Sequence, residues 1–406
     1  MAVHVLNEAK RCLNCKKPLC RIGCPINTSI PQMIQEFMKG DIKEAGQMLF
    51  ENNPLSLVCS LVCDHDKQCE GHCILGRKGA PVQISSIEHY ISDTCFDNIK
   101  MKRSERNGVK AAVIGSGPAG ITIAIILAAR GYDVTIMESK DKIGGVLRYG
   151  IPEFRLPKTI LDRYKKQIVS MGIRIRPNTT IGGSIGIDDM FRDGYKAIFI
   201  GTGVWRPNSL KIKGETLGNV HFAIDYLSNP DSYDLGNKVA IIGAGNSAMD
   251  VARTVIRKGS RDVSIFSVTS VAAASPREVE YAQIDGVTFY YCKQAVQLTD
   301  KGPIMHDIIV DEEGTITPIS DTAQLYEADS IIVAISQGPK NNIVSTTKGI
   351  DVNNRGLLIT NTIGETTREG IFASGDVVKG ARTVVEAVNF SKIVANAMDQ
   401  YMSKDL

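Results

Sequence analysis

From Lys110 onward the chain alternates short apolar runs, glycine turns and longer stretches of helical periodicity, and it does so twice. "AAVIGSGPAGITIAIILAARGYDVTIMES" opens one copy at Ala111, and "KVAIIGAGNSAMDVARTVIRKGSRDVSIFSV" opens the other at Lys238. Each reads strand, glycine turn, helix, strand, and repeated units of that kind predict parallel sheets with helices on both faces. The last segment, "TTREGIFASGDVVKGARTVVEAVNFSKIVANAM", predicts a strand, a Gly-Asp turn and a helix starting near Arg382. Ahead of residue 105 the pattern is different. Ile30, Met33, Ile34, Phe37 and Met38 recur at helical spacing, Gly40-Asp41 interrupts, and Ile42, Ala45 and Leu49 resume. A third helix is predicted after Pro81, with Ile84, Ile87 and Ile91 on one face.

Length and composition narrow the class. At 406 residues two or three domains are expected, and 43% hydrophobic with 22% charged residues is the make-up of a globular protein. A net charge of +3 gives no footprint for nucleic acid. The longest apolar run, Gly120 to Ala129, is far short of the roughly 20 residues that span a bilayer, so no membrane segment is expected. "MAVHVLNEAKRC" carries neither the apolar core nor the cleavage site of an export signal, and a cytoplasmic location is expected. Eight of the ten cysteines fall in the first 73 residues. In a reducing compartment such a group binds metal or does redox work rather than forming structural disulfides.

The two glycine turns carry the first chemistry. Gly115, Gly117 and Gly120 form GxGxxG between a strand and a helix that begins at Pro118 and Ala119, and Glu138 ends the next strand. Glycines there allow a tight turn and close approach of backbone to a pyrophosphate, the helix N-terminus favours its charge, and the carboxylate accepts from a ribose. The second turn is Gly243, Gly245 and Ala248, a GxGxxA, with Asn246, Ser247 and Asp250 around it. Its next strand ends at Ser267 and "SVTS" follows, with neither the carboxylate of an NAD site nor the arginine of an NADP site. Arg253, Arg257, Lys258, Arg261 and Arg277 are near in sequence and read first as solvated charges. NADH versus NADPH stays open on these residues.

Two such units, one inserted in the other, suggest a flavoprotein in which one holds FAD and the other brings a nicotinamide. Gly375-Asp376 fits this. The carboxylate would reach the ribityl or phosphate region, and the helix start at Thr383 and Val384 would face the flavin ring. The expected architecture is α/β, two Rossmann-like nucleotide-binding domains for FAD and NAD(P)H preceded by a helical iron-sulfur domain. The expected segments are 1–105 (clusters), 106–232 and 338–406 (FAD) and 233–337 (NAD(P)H).

The cysteines stand in two runs, Cys12, Cys15, Cys20 and Cys24 as C-x2-C-x4-C-x3-C-P, and Cys59, Cys63, Cys69 and Cys73 as C-x3-C-x5-C-x3-C. In ferredoxin-type runs the last cysteine before proline can serve a second cluster. Zinc is the competing reading, but it favours paired C-x2-C knuckles or close histidines. Only Cys12 and Cys15 fit, and His65 and His72 do not.

Taken with "GSGPAG", "LRYGIPEFRLPK", "GAGNSAMD", "AISQGP", "IFASGDVV" and "CEGHCILGRKG", these runs resemble the small subunit of bacterial glutamate synthase and its relatives. The relatives include the dihydropyrimidine dehydrogenase small subunit or N-terminal half and the large subunit of NADH-dependent ferredoxin:NADP oxidoreductase. The resemblance covers nearly the whole chain. It implies FAD, two 4Fe-4S clusters and NAD(P)H as cofactors. It implies flavin contacts at Gly145, Leu147, Tyr149, Gly150 and Ile151. It also implies that Cys24 joins Cys63, Cys69 and Cys73 on one cluster, while Cys12, Cys15 and Cys20 hold the other with Glu88 as a non-cysteine ligand. Cys59 is then a packing thiol, and Cys95 and Cys292 are buried or partly buried free cysteines. The partner implied is a larger, FMN-containing subunit of glutamate synthase or pyrimidine-reductase type, or a ferredoxin.

Relatives that use NADPH carry a basic pair after the second Rossmann strand, where this chain has Val268 and Thr269, so NADH is favoured. The expected reaction is hydride transfer from NAD(P)H to FAD, then single-electron steps to the partner, with no acid or base required of the protein. A nucleotide-binding protein without turnover is the rival of another class. A flavin disulfide reductase would need a cysteine pair beside the flavin, and residues 233–337 hold only Cys292.

Overall fold

Two parallel five-stranded sheets organise the chain in this computed structural model, which describes residues 2–99, 104–311 and 315–405. The first has the order Ile371–Ala373, Tyr195–Ile200, Lys110–Ile114, Asp133–Met137, Arg174–Arg176. The second repeats that plan as Val220–Phe222, Ser330–Val333, Lys238–Ile242, Asp262–Phe266, Thr288–Tyr290. Central strands such as "AAVI" and "VAII" are buried along their length, as expected where helices cover both faces. In register, Ile114 lies opposite Met137 and Ile200, so this strand's C-terminal end delivers the chain into Gly115 at the sheet edge where nucleotides bind.

The chain divides into two compact units. One comprises residues 1–147, 153–204 and 339–406, and the other residues 148–152 and 205–338. The expected boundary at 232/233 lies earlier, because Val220–Phe222 pairs in parallel with Ser330–Val333 and so belongs to the second sheet. The second unit also has an antiparallel sheet built on the hairpin Lys293–Thr299 and Gly302–Val310, which the βαβ pattern did not foretell. "KQAVQLT" shows only partial alternation, but Asp300-Lys301 is a two-residue connection of the hairpin kind.

In the first unit the helices Ile30–Met38, Ile42–Asn52 and Ile84–Cys95 form where periodicity places them. Asp41, in the predicted break, caps the second by accepting from the Glu44 amide at 3.1 Å. Ile34, Ile87 and Ile91 are fully buried, each contributing roughly 1.5–3 kcal/mol through the surface it hides. Tyr164 reaches across from the flavin-type domain, donating to the Pro54 carbonyl at 2.9 Å and packing edge-on against Phe96 with centroids 4.5 Å apart. Arg163 pairs with Asp93 and Asp97. These contacts explain why the helical segment and the first Rossmann domain form one unit.

Candidate functional site

The first glycine loop is shaped for close approach. Gly115 has φ +95°, and a Cβ there would sit 2.6 Å from the Gly201 carbonyl oxygen. A Cβ on Gly120 would strike the Gly115 carbonyl oxygen at 2.0 Å, so the helix Pro118–Ala129 can pack onto the strand only through glycine. Gly117 differs, since nothing lies within 4 Å of its Cβ position. It faces open space at a helix N-terminus, the cradle a pyrophosphate requires. Gly145 closes against Gly117, with only 2.8 Å between its Cβ position and the Gly117 Cα.

Glu138 is 5% exposed and holds the loop. One carboxylate oxygen accepts from the Ser116 amide at 2.9 Å and the Ser116 hydroxyl at 2.5 Å, and the other from the Lys140 amide at 2.8 Å and the Ser139 hydroxyl at 3.2 Å. Those four donors use the carboxylate's acceptor sites.

At the same, C-terminal end of the sheet, just past the edge strand Ile371–Ala373, Gly375 has φ +75°, and its Cβ position is 3.1 Å from the Ala119 Cβ, so Asp376 is set beside the glycine loop. The Arg382 amide donates to Asp376 Oδ1 at 3.2 Å. Thr383 caps the helix Val384–Met402 in a reciprocal box with Glu386. Burial, with a smaller push from Glu386, raises the Asp376 carboxyl to about 6. A carboxyl raised in the folded state contributes stability that is whole below its unfolded value and is lost as pH rises through about 6. FAD-free Asp376→Asn is therefore expected to melt above the unaltered chain at neutral pH, by on the order of 3 kcal/mol, with the gap closing below about pH 4. Thermal denaturation across that range checks it, and equal melting at neutral pH would refute it.

Leu147 is fully buried in the first unit, its carbonyl accepting from Lys158 Nζ at 2.9 Å. Tyr149, Gly150 and Ile151 belong to the second unit, where the Ser228 hydroxyl donates to the Tyr149 carbonyl at 3.1 Å.

In the second unit Gly243 has φ +117° and its amide donates to Phe266 at 2.9 Å. Gly245, like Gly117, has nothing within 4 Å of its Cβ position. Ala248 is buried on the sheet and Asp250 is buried with it, while Ser247 is half-buried. Asn246 Oδ1 accepts from the Ser275 amide at 2.9 Å, so this side chain also shapes the neighbouring loop. After the strand Asp262–Phe266, the hydroxyls of Ser267 and Thr269 bond each other at 2.8 Å, and Thr269 donates to the Val271 carbonyl at 2.6 Å.

Of the nearby cations, Arg257, Lys258, Arg261 and Arg277 are exposed as expected, and Arg253 is not the solvated charge expected. Arg253 is 9% exposed and pairs with Glu278 at 2.8 Å and Asp285 at 3.0 Å. Arg257 pairs with Asp285 at 2.6 Å and Lys258 with Asp231. Arg277 donates to the Tyr281 hydroxyl at 3.0 Å. The signal missed was Glu278 and Asp285, acidic residues on the following helix and at its end.

The cysteines form two sets, and one expectation is corrected. Cys73 lies with Cys12, Cys15 and Cys20 around a cavity of about 200 Å³ also lined by Ile30 and Ile34. The mutual charge effects among Cys12, Cys15, Cys20 and Cys73 show the same grouping. Glu88 faces Cys63 and Cys69, and Cys24 faces Cys69. Glu88 and Cys73 have therefore exchanged places relative to the expected sets. The cause is a chain crossing. A Cβ on Gly23 would strike the His72 ring at 2.3 Å, so the two runs touch one residue before Cys24 and one before Cys73. Each final cysteine lies beyond the crossing and sits with the other set. Cys73 is followed by Ile74 rather than proline, so the proline-run rule that flags Cys24 gives no such signal for Cys73.

Glu88 is 9% exposed, and burial, then Glu70, raises it to about 8. Cys59 is buried beside Cys63. Cys95 is buried, its thiol donating to the Ile42 carbonyl at 3.0 Å, and Cys292 is partly buried. Among the described residues no three His, Cys, Asp or Glu side chains converge as a single ion requires. In a cluster each ligand takes its own iron, and two mainly thiol sets have the donor chemistry that clusters use.

Two dinucleotide cradles behind a cysteine-rich helical segment define a flavin- and iron-sulfur-dependent oxidoreductase. Residues 2–100 match the family described as dihydropyrimidine dehydrogenase domain II, 4Fe-4S cluster, and residues 109–390 match pyridine nucleotide-disulphide oxidoreductase. The glutamate synthase [NADPH] small chain of Azospirillum brasilense is 31% identical, over 97% of this chain and 88% of its own. The NAD-dependent dihydropyrimidine dehydrogenase subunit PreT of Salmonella typhimurium is 32% identical, over 98% and 94%. Among solved structures, FprA of Mycobacterium tuberculosis in complex with NADPH shares the fold, with a TM-score of 0.61 at 15% identity over 73% of this chain and 85% of that one. The chain belongs to the pyridine nucleotide-disulphide oxidoreductase family, in the group of glutamate synthase small chains and their relatives. Its cofactors are FAD, NAD(P)H and 4Fe-4S clusters.

Proposed function

We propose that this chain accepts a hydride from NADH and delivers single electrons to a larger partner of the glutamate synthase type. Bound FAD would supply the conversion of two-electron to one-electron chemistry. The observation that carries the reading is the pair of side-chain groups, Cys12, Cys15, Cys20, Cys73 and Cys24, Cys63, Cys69, Glu88, built into the same unit as the Gly115–Gly120 cradle. The protein's part is to position and insulate. Gly117 admits the pyrophosphate, Glu138 holds the loop, and Ile30 and Ile34 keep the first thiol set dry. NADH rather than NADPH is favoured because Ser267, Val268 and Thr269 are neutral while Arg253 and Arg257 are held by Glu278 and Asp285.

The first thiol set marks the exit. Leu13, 62% exposed, and Ile74 line its cavity, and Lys16, Lys17, Arg21, Arg77 and Lys78 around it are exposed. Residues 10–35 and 71–87 contain no acidic residue, so this rim suits an acidic partner face and a contact weakened by salt.

Anaerobic titration with NADH tests the reading. Flavin bleaching is expected first, followed by paramagnetic signals of two reduced clusters. Nucleotide binding without bleaching would overturn it in favour of a protein without turnover.

A further inference from the structure

A chain of hydrogen bonds joins the helix Val384–Met402 to one of the thiol sets. Lys392 projects from that helix, and its ammonium donates to both the Asn52 carbonyl, at 2.6 Å, and Asn52 Oδ1, at 3.0 Å. With both oxygens turned to the ammonium, the Asn52 amide nitrogen faces the other way. It donates to the Ile26 carbonyl at 3.3 Å and to Thr28 Oγ1 at 3.2 Å. Thr28 is 6% exposed, and its Oγ1 lies 3.4 Å from Cys24 Sγ.

The direction of each bond decides what the chain does. Lys392 fixes the orientation of the Asn52 amide, since only the carbonyl side can accept from an ammonium. The amide N–H then occupies the Thr28 oxygen as an acceptor, which leaves the Thr28 hydroxyl proton to point at Cys24 once that thiol is a thiolate. Charge acts as well. Lys392 is half-buried, burial pulls its basicity down, and Cys24 pushes it back up, so ammonium and sulfur feel each other through a poorly screened interior.

We propose that Lys392, acting through Asn52 and Thr28, is a positioning residue that raises the reduction potential of the cluster Cys24 helps to hold. This rests on the reading of Cys24, Cys63, Cys69 and Glu88 as one ligand set. Reduction adds one electron, hence one negative charge, to that cluster. A nearby ammonium and an O–H donated to a ligand sulfur both favour the more negative state, and net charge and hydrogen bonds to sulfur are levers that set such potentials. The set concerned is the one with a carboxylate ligand, and the relay runs from the helix whose first residues follow Asp376.

The test is a potentiometric titration of anaerobic holoprotein followed by electron paramagnetic resonance, with Cys24→Ser marking which signal belongs to which cluster. Lys392→Gln is expected to lower the midpoint of the Cys24 cluster by at least a tenfold change in its reduction equilibrium, about 59 mV for one electron. The other midpoint is expected to stay. Lys392→Arg keeps the charge and is expected to hold the potential. Thr28→Val removes only the final hydroxyl and is expected to lower the same midpoint in part. An unmoved midpoint in Lys392→Gln with unaltered iron content would overturn the relay. So would equal movement of both clusters, or equal iron loss in the Gln and Arg variants, which would assign Lys392 to packing. Absence of two clusters in the unaltered protein would overturn the parent reading, and that result is visible before any variant is made.

Discussion

Cys73→Ser is expected to abolish the same iron-sulfur signal as Cys12→Ser, and Glu88→Ala to alter the one that Cys24→Ser alters. The unaltered anaerobic protein should carry about eight irons, and a Cys73 variant about half that. The expectation follows from the shared cavity of Cys12, Cys15, Cys20 and Cys73 and from Glu88 facing Cys63 and Cys69. Iron analysis paired with paramagnetic resonance distinguishes the sets, because each variant removes one signal and spares the other. Loss of the same signal in Cys73→Ser and Cys63→Ser would refute the crossing of the two runs. Stoichiometric zinc with negligible iron would refute clusters altogether.

Introducing Val268→Arg with Thr269→Arg is expected to raise kcat/KM for NADPH by roughly 10- to 100-fold, each charge-assisted contact to a 2′-phosphate being worth about 1.5–3 kcal/mol and partly offset by side-chain ordering. Val268 is 40% exposed, so arginine there can reach solvent without disturbing the core. The hydroxyl pair of Ser267 and Thr269 fits a diol and offers no charge to a phosphate. The unaltered chain should oxidise NADH in preference, and steady-state dye reduction with each nucleotide measures both. If the unaltered chain prefers NADPH and Arg277→Ala removes that preference, the guanidinium now directed at Tyr281 is the phosphate ligand and the assignment to NADH fails.

The parts legible in the sequence were those set by local geometry. Gly115, Gly117 and Gly120 declare a strand-to-helix turn within six residues, and Ile84, Ile87 and Ile91 declare a buried helix face. The illegible parts depend on residues far apart meeting. Nothing near Cys73 announces that His72 abuts Gly23, and this contact decides which set Cys73 joins. Arg253 looked like a surface charge because its partners, Glu278 and Asp285, come 25 and 32 residues later. The antiparallel hairpin at Lys293–Val310 was hidden by weak alternation within a region otherwise built of βαβ units.

The crossing at Gly23 and His72 also orders events during synthesis. A nascent chain that ends before Cys73 completes neither ligand set, although seven of its first eight cysteines have already been made. With the ligand sets proposed above, the first closes only when Cys73 emerges and the second only when Glu88 does. On those sets cluster insertion would not proceed run by run from the N-terminus but would need a segment of at least 88 residues already folded back on itself, and a slow step in that folding would leave reactive thiols waiting.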